Sequence, residues 1–383
     1  MLGVRRVPEP AAAPRVARLV LTEFRSWRAL TLAGEAGVTV LVGPNGAGKT
    51  NVLEALSYLA PGRGLRGARA ADVRSEDAPE GTGWAVGARV VNGAGPVDIG
   101  TGAGTDGARR QVRIDGKAAR GQAGLAATLG LAWLTPAMNR LFLDGASARR
   151  RFLDRLVFGH DPGHADRLGA YEHALSERSR LLRDGPRDER WLAALEAGLA
   201  RHGTALAASR REVVERLDAE LAHSDGPFPS ARVAIVGTVE RWLDELPAVA
   251  VEERFAARLA QARAEDRSGG ADGPHRSDVR VRHRATERPA NQCSTGEQKV
   301  LLVALLLAHA RLVARGPLGA PVLLLDDVAA HLDETHRGAL GDELEALGSQ
   351  AWLSGTDRAS FRGLEDRGRF LEVGHDRVAE AGA

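Results

Sequence analysis

A chain of 383 residues, 44% apolar and 27% charged, is long enough to bury a sizeable core and has room for two lobes. Its one cysteine, Cys293, excludes an internal disulfide and fits a reducing, cytoplasmic setting. A net charge of +2 is too mild to identify a nucleic-acid binder, and the longest apolar run, Val300–Ala308, is too short to span a bilayer, so no membrane partner is expected.

Residues 1–14, rich in Ala, Pro and Arg without an apolar core, read as a loose tail and not as a signal peptide. Arg15–Phe24 alternates as a strand, with Val16, Val20 and Thr22 on one face and Leu19 and Leu21 on the other. A turn at Phe24–Trp27 and a strand at Ala29–Leu32 follow. The wholly apolar Val38–Val42 reads as a buried strand feeding Gly43-Pro44-Asn45-Gly46-Ala47-Gly48-Lys49-Thr50, after which Asn51–Leu56 opens a helix. Pro61–Arg66 is a basic loop. Residues 84–117 read as a small antiparallel sheet, with strands at Trp84–Val91, Val97–Ile99 and Gln111–Ile114 and a hairpin signal at Asp115-Gly116. Its far edge carries Arg109, Arg110, Arg113, Lys117 and Arg120. That edge is either a solvated face or, together with Arg63 and Arg66, a contact for the phosphates of a polyanion. Leu129–Leu134 is a further buried strand.

From Ser147 the pattern turns helical. Arg149–Arg183 is broken near Pro162-Gly163, Gly185-Pro186 is a turn, and Asp188–His223 is a second helix of 36 residues, about 54 Å long. Together they predict a helical hairpin, a short arm without sustained heptads. Pro227–Pro229 ends it. A strand at Ala231–Val236, a charged helix over Val239–Arg267 and a loop at 268–273 lead on to the apolar helix at Val300–Ala308 and the strand Pro321–Leu325, which ends in Asp326-Asp327. No internal repeat is visible.

Residues 43–50 fit G-x-x-x-x-G-K-[ST] at every position, in the strand–loop–helix setting that a phosphate-binding loop needs. Glycines let successive N–H groups point at phosphate oxygens, and the helix N-terminus adds its partial positive charge. Lys49 is expected to reach the β- and γ-phosphates of ATP, and Thr50 to ligate Mg²⁺. With three lysines against 49 arginines in the chain, a lysine in this slot is selective. Asp326 is expected to hold Mg²⁺ beside Thr50, from a strand adjacent to that of the phosphate loop, and Asp327 to serve as general base or to orient water. Ser294 and Glu297 form a capping-box pattern, which serves a helix alone; Ser294 with Gly296 at a helix N-terminus is equally an anion site. His275 and Arg276 admit a catalytic role or a structural loop packed on the nucleotide-binding head. Arg149–Arg151 could touch DNA phosphates or form a solvated helix face paired with acids such as Asp144 and Asp154.

Ser294-Thr295-Gly296-Glu297 ahead of a strand ending in Asp-Asp is similar to the signature arrangement of ABC-type ATPases, and the order of motifs resembles that of the chromosome-maintenance and repair members. Several stretches resemble the RecF family of bacterial recombination mediators: Phe24-Arg25-Ser26-Trp27, Asn45–Ala55, Gly62–Arg66, Arg149–Asp154, Gly273-Pro274-His275-Arg276-Ser277-Asp278, and Leu325–Val328 with Leu332-Asp333. The matches run from about Val16 to Asp357. The resemblance implies an α/β fold, an ABC-type P-loop ATPase head with an inserted helical arm lobe. The head would comprise residues 1–148 and 272–383, and the arm 149–271. It also implies a cytoplasmic, DNA-binding ATPase, slow and DNA-stimulated, using ATP and Mg²⁺. Its nucleotide would be held by Gly43, Pro44, Asn45, Gly46, Ala47, Gly48, Lys49 and Thr50, with Ser294 and Gly296 closing over the γ-phosphate of a second copy. Implied partners are single- and double-stranded DNA at gaps, an ATP-dependent homodimer, and RecR-like and RecO-like mediators, in recombinational repair, replication-gap processing and recombinase loading. Departures from the pattern bear on hydrolysis: Ala137 and Met138 replace an acid after Pro136, His331 precedes Leu332-Asp333, and Leu353–Asp357 carries Thr356 but no histidine. A nucleotide-gated clamp with little turnover stays open as an alternative. A transporter ATPase subunit is disfavoured by the arm and by Glu297.

Overall fold

The computed structural model describes residues 13–105, 110–119, 121–184, 188–223, 226–264, 266, 272–329, 332–375 and 377–381. Arg109, Arg120, the Gly185-Pro186 turn, residues 268–271 and His331 therefore lie outside the described residues. The chain packs as two compact units. One draws on residues 1–138, 226–228 and 306–383, the other on 139–225 and 229–305. The expected boundaries lie at 148/149 and 271/272. The segment after residue 272 groups with the second unit because its strand Asp278–His283 pairs antiparallel with Ala231–Val236.

The first unit contains two six-stranded sheets. The antiparallel one runs in the order Trp27–Ala33, Arg15–Phe24, Trp84–Asn92, Gly95–Ala103, Gln111–Ile114, Lys117–Ala118. The two N-terminal strands and the expected small sheet are thus one sheet. Val16 is buried with Leu19 and Leu21, not opposite them. A register shift between Val16 and Arg18 against the neighbouring strand inserts one residue and swings Val16 to the core face. Phe24, Tyr58 and Trp84 pack edge-on with ring centroids 5.2–5.7 Å apart, tying this sheet to the helix that follows the phosphate loop.

The second sheet has the order Val378–Glu380, Gly368–Val373, Val38–Val42, Ala351–Gly355, Val322–Asp326, Leu131–Leu134. It is parallel except at Val378–Glu380. Every residue of Val38–Val42, Val322–Asp326 and Ala351–Gly355 is buried. Strands covered on both faces read as continuous apolar runs without alternation, which is why Val38–Val42 and Val322–Asp326 are legible; Ala351–Gly355, interrupted by Ser354 and Gly355, does not read as a strand. The expected strand from Leu129 begins at Leu131, after a short helix Ala123–Thr128 that the sequence pattern did not reveal. The carboxyl ends of Val38–Val42 and Val322–Asp326 open toward the loops that carry the site residues.

The second unit is a helix cluster around the two-stranded sheet, fuller than a hairpin. Helices Ala146–Phe158 and His164–Asp184 break at residues 159–163, as the Pro162-Gly163 signal requires. Glu189–Ala222 is capped by the Asp188 carboxylate, which accepts from the N–H groups of Arg190 and Trp191 at 3.0 Å. At 34 residues it is about 51 Å long. The expected single helix Val239–Arg267 is two, Thr238–Glu245 and Ala248–Gln261, because Pro247 cannot continue a helix and caps the next one. Tyr171, Leu199, Leu206, Val251, Phe255 and Leu259 form its core.

Asp154 lies in this unit, but not as a partner of the Arg149–Arg151 face. It takes a two-point ion pair from Arg210, at 2.7 and 2.9 Å, and a hydrogen bond from His164 at 2.9 Å. Arg210 also donates to the Pro274 carbonyl at 2.6 Å. Burial alone would raise the Asp154 carboxyl, yet Arg210 and His164 hold it down at about 2. Because that value lies below the ordinary 3.8, the stabilisation is present above pH 3.8 and lost as pH falls toward 2. Asp154→Asn should cost about 3–5 kcal/mol by stranding the buried guanidinium. Urea unfolding of the two proteins across the acid range checks it: their difference should hold steady above pH 3.8 and shrink below it.

Candidate nucleotide site

The phosphate loop leaves its strand with three glycines at positive φ: Gly43, Gly46 and Gly48. A Cβ on Gly48 would lie 2.9 Å from both Ser26 Oγ and the Trp27 ring, and one on Gly43 would lie 2.3 Å from the Val373 carbonyl. The loop therefore needs glycine there for conformation and for close approach. Trp27 Nε1 donates to the Gly48 carbonyl at 3.3 Å and seats the loop from behind.

Lys49 is buried, and its Nζ donates to the carbonyls of Gly43 at 2.7 Å and Pro44 at 2.8 Å, curling back over the loop. Burial lowers its pKa, while Asp327 and Asp326 pull the other way. Thr50 Oγ1 donates to Asp326 Oδ1 at 2.9 Å. The structure thus brings Thr50 and Asp326 together as expected, but by a different route. Val322–Asp326 is not adjacent to the phosphate-loop strand; Ala351–Gly355 runs between them. That intervening strand supplies Ser354, which sequence reasoning missed. Its hydroxyl donates to Asp326 Oδ1 at 2.6 Å and accepts from the Asp327 N–H at 3.0 Å. The only signal available was its place two residues before the Thr356-Asp357 turn. Burial raises the Asp326 pKa, opposed by the hydrogen bonds from Ser354 and Thr50 and assisted by the charge of Asp327. Asp327 adopts φ 53°, a left-handed conformation uncommon for any residue but glycine, asparagine and aspartate.

Asn45, Gly46, Gly48, Lys49, Thr50, Asn51, Arg66, Pro136, Asp326, Asp327, Ser354 and Thr356 line one cleft. Gly43, Pro44 and Ala47 shape its loop; Ala47 is buried. Behind the cleft lies a buried carboxylate that no sequence motif singles out. Glu54 is fully buried and holds Arg25 at two points, 3.0 and 2.7 Å, and Arg66 at 2.7 Å. Arg66 also donates to Asn51 Oδ1 at 2.8 Å. The cluster pins the Phe24–Trp27 turn and the Pro61–Arg66 loop to the phosphate-loop helix.

The residues fit a magnesium nucleotide. A buried lysine with only loop carbonyls as acceptors has its charge available for phosphate, a helix N-terminus faces the same cleft, and a hydroxyl and a carboxylate oxygen 2.9 Å apart are hard donors of the kind Mg²⁺ takes.

The signature residues belong to the second unit. Ser294 and Gly296 are exposed at the start of helix Thr295–Ala314. The capping box is closed: Ser294 N–H donates to Glu297 Oε2 at 2.7 Å and Glu297 N–H to Ser294 Oγ at 3.2 Å. The Ser294 backbone N–H leads the causes that hold the Glu297 pKa down. His275 packs on the helix cluster, its Nδ1 2.7 Å from the Tyr171 hydroxyl, and a Cβ on Gly273 would lie 2.4 Å from that hydroxyl. Among the basic candidates, Arg110 is turned inward. It donates to Thr101 Oγ1 and to the Gly62 carbonyl, both at 2.7 Å, lies over the Tyr58 ring at 4.9 Å, and burial pushes its pKa down to about 10. Arg113 and Lys117 stay exposed. Arg149 pairs at two points with Asp278, at 2.8 and 3.0 Å, and Arg150 donates to the Ser277 carbonyl. These two are structural, and only Arg151 of the run is exposed.

A phosphate loop and an acidic strand in one mostly parallel sheet, flanked by an antiparallel sheet, is the arrangement of ABC-type ATPase heads. The fold matches that of "the recombination mediator protein RecF-ATPrS in RecFOR pathway" with a TM-score of 0.84 at 21% identity, covering 97% of this chain and 100% of that one. It matches a Smc head domain of Pyrococcus furiosus more loosely, with a TM-score of 0.54 at 16% identity and 96% of each chain covered. The family profile for the RecF/RecN/SMC N terminal domain spans residues 15–362. The proteins named DNA replication and repair protein RecF from Mesorhizobium japonicum and Rhizobium meliloti are 48% and 47% identical over 96% and 94% of this chain and 98% of their own length. The chain belongs to the RecF family.

Lys49→Ala should abolish or severely weaken ATP binding while the head stays folded, read by fluorescent-nucleotide titration beside circular dichroism. Because a protonated Asp326 cannot hold a cation, the gain in nucleotide affinity from Mg²⁺ should fade on acidification at a higher pH than an ordinary aspartate would dictate. Paired titrations with and without Mg²⁺ read that shift directly.

Proposed function

We propose that this chain is a cytoplasmic, DNA-binding ATPase of recombinational repair and replication-gap processing. ATP, with Mg²⁺ at Thr50 and Asp326, joins two copies into a clamp on DNA near single-strand gaps, and hydrolysis opens it. The Thr50–Asp326 hydrogen bond carries the reading, since it joins the phosphate loop to the acidic strand in one cleft. Lys49 would bind the β- and γ-phosphates, and loop N–H groups from Gly43 to Gly48 would take the remaining oxygens. Asp327, on its left-handed backbone, would stand as the water-orienting carboxylate.

Ser294 and Gly296 are exposed, and their helix N-terminus offers N–H donors to an anion. That supports a role on the γ-phosphate bound by a second copy. The names of the relatives support replication and repair as the setting. DNA, RecR-like and RecO-like mediators and a recombinase that the complex helps to load are the partners of this reading. We propose the head as residues 1–148 with 272–383 and the arm as 149–271. A nucleotide-gated clamp with little turnover is favoured by one feature, an aspartate at 327 with a shorter reach than a glutamate. Steady-state hydrolysis with and without DNA separates the two.

Ser294→Arg should leave ATP binding by the monomer nearly intact and abolish ATP-driven dimerisation, followed by light scattering. A variant that dimerises as the parent does would reduce Ser294 to a helix cap.

A further inference from the structure

The small sheet of the second unit buries one face and exposes the other. Ala231, Val233, Val279 and Val281 point inward. The register places Arg282 opposite Arg232, Arg280 opposite Ala234 and Asp278 opposite Val236, so Arg232, Arg280 and Arg282 share the outer face. All three are exposed. Like charges directly across a ladder destabilise a sheet, so setting Arg232 opposite Arg282 carries a folding cost.

Little nearby offsets those cations. Asp278, the acid on this face, is committed to its two-point pair with Arg149. Arg282 donates to the backbone carbonyl of Glu287 at 2.8 Å. The Glu287 carboxylate stands 3.5 Å from Arg232, with both side chains about half exposed, a pair worth little in water. Among the described residues Arg280 makes no ion pair. Arg280 and Arg282 also line a cleft with Asn291 and Gln292, whose neutral amides can add hydrogen bonds to phosphate and sugar oxygens.

The face has a further property. The side chains that its two strands turn outward are arginine, alanine, valine and aspartate, and Phe142, the ring that lines the adjoining cleft, is buried, so the face offers no exposed ring on which an unpaired base could stack. Ala234 leaves its centre flat. Arg280 and Arg282, two residues apart on one strand, are spaced by about 6.8 Å, comparable to the step between successive phosphates.

We propose that this face of the second unit binds the phosphate backbone of duplex DNA, without reading sequence. The assignment rests on the DNA-binding reading above and locates it. With Arg110 turned inward, the expected basic edge of the first unit is a poorer match.

The experiment is a salt titration of duplex binding, in ATP, with the full-length protein, its triple variant Arg232→Gln/Arg280→Gln/Arg282→Gln, and the matching triple lysine variant. Each phosphate that an arginine no longer neutralises should take about 0.9 off the slope of log affinity against log salt, so the glutamine variant should be shallower by about 0.9 to 2.7 for every duplex sequence alike. The lysine variant should keep the parental slope. Circular dichroism and urea unfolding of both variants report that the second unit is folded, and fluorescent-ATP binding that the nucleotide cleft is. If either fails to fold, the single Arg280→Gln variant, at an exposed side chain without an ion pair, carries the test with an expected change of about 0.9. A parental protein that binds duplex, with variants of unchanged slope, overturns this surface alone. A parental protein that binds no duplex overturns the DNA reading with it. Loss confined to single-stranded oligonucleotides also overturns the proposal.

Discussion

The Thr50–Asp326 hydrogen bond joins residues 276 positions apart, and the nucleotide cleft depends on it. For it to form, the phosphate-loop helix must start over the carboxyl end of one strand while the acidic strand ends at the same level two places across the sheet. Ser354 makes that spacing workable. Standing on the strand between, it holds the oxygen of Asp326 that Thr50 holds and also caps the Asp327 N–H. Three strand ends are thereby locked at one height, which is what a preorganised site for a charged ligand requires. The opposing influences on the Asp326 pKa express the same tension: burial disfavours the charge, and two hydroxyls retain it.

Around this core the molecule uses buried ion pairs as fasteners. Glu54 joins two loops to the phosphate-loop helix through Arg25 and Arg66. In the second unit, Asp154 fastens three segments through Arg210 and His164, and fully buried Arg178 bridges Glu196 and Asp266. Such pairs add little net stability compared with apolar packing, but they fail badly when one partner is removed, so they specify an arrangement more than they strengthen it. A chain so rich in arginine suits this use, because a planar guanidinium satisfies two carboxylates or a carboxylate and a carbonyl at once.

That dual use of arginine is also why basic runs mislead. Arg110, Arg149 and Arg150 resemble members of solvated or phosphate-binding faces, yet each spends its donors inside the protein. The exposed cluster of Arg232, Arg280 and Arg282 comes instead from two short strands 42 residues or more apart, whose register puts Arg232 opposite Arg282. No linear window contains that cluster.

What the sequence determined alone was everything local. The phosphate loop, the Asp188 cap, the Ser294–Glu297 capping box and the Pro162-Gly163 break are set by neighbours within about four residues, and the wholly apolar strand Val38–Val42 announces itself by composition. Tertiary structure decided strand order, and with it the intervening strand and the role of Ser354. It decided the bulge that turns Val16 inward, since a bulge is defined only against a partner strand. It decided the grouping of Asp278–His283 with Ala231–Val236. It also chose the partners of every buried arginine. The physical reason is common to all of these: a long-range pairing is a property of two segments, and neither segment carries the identity of the other.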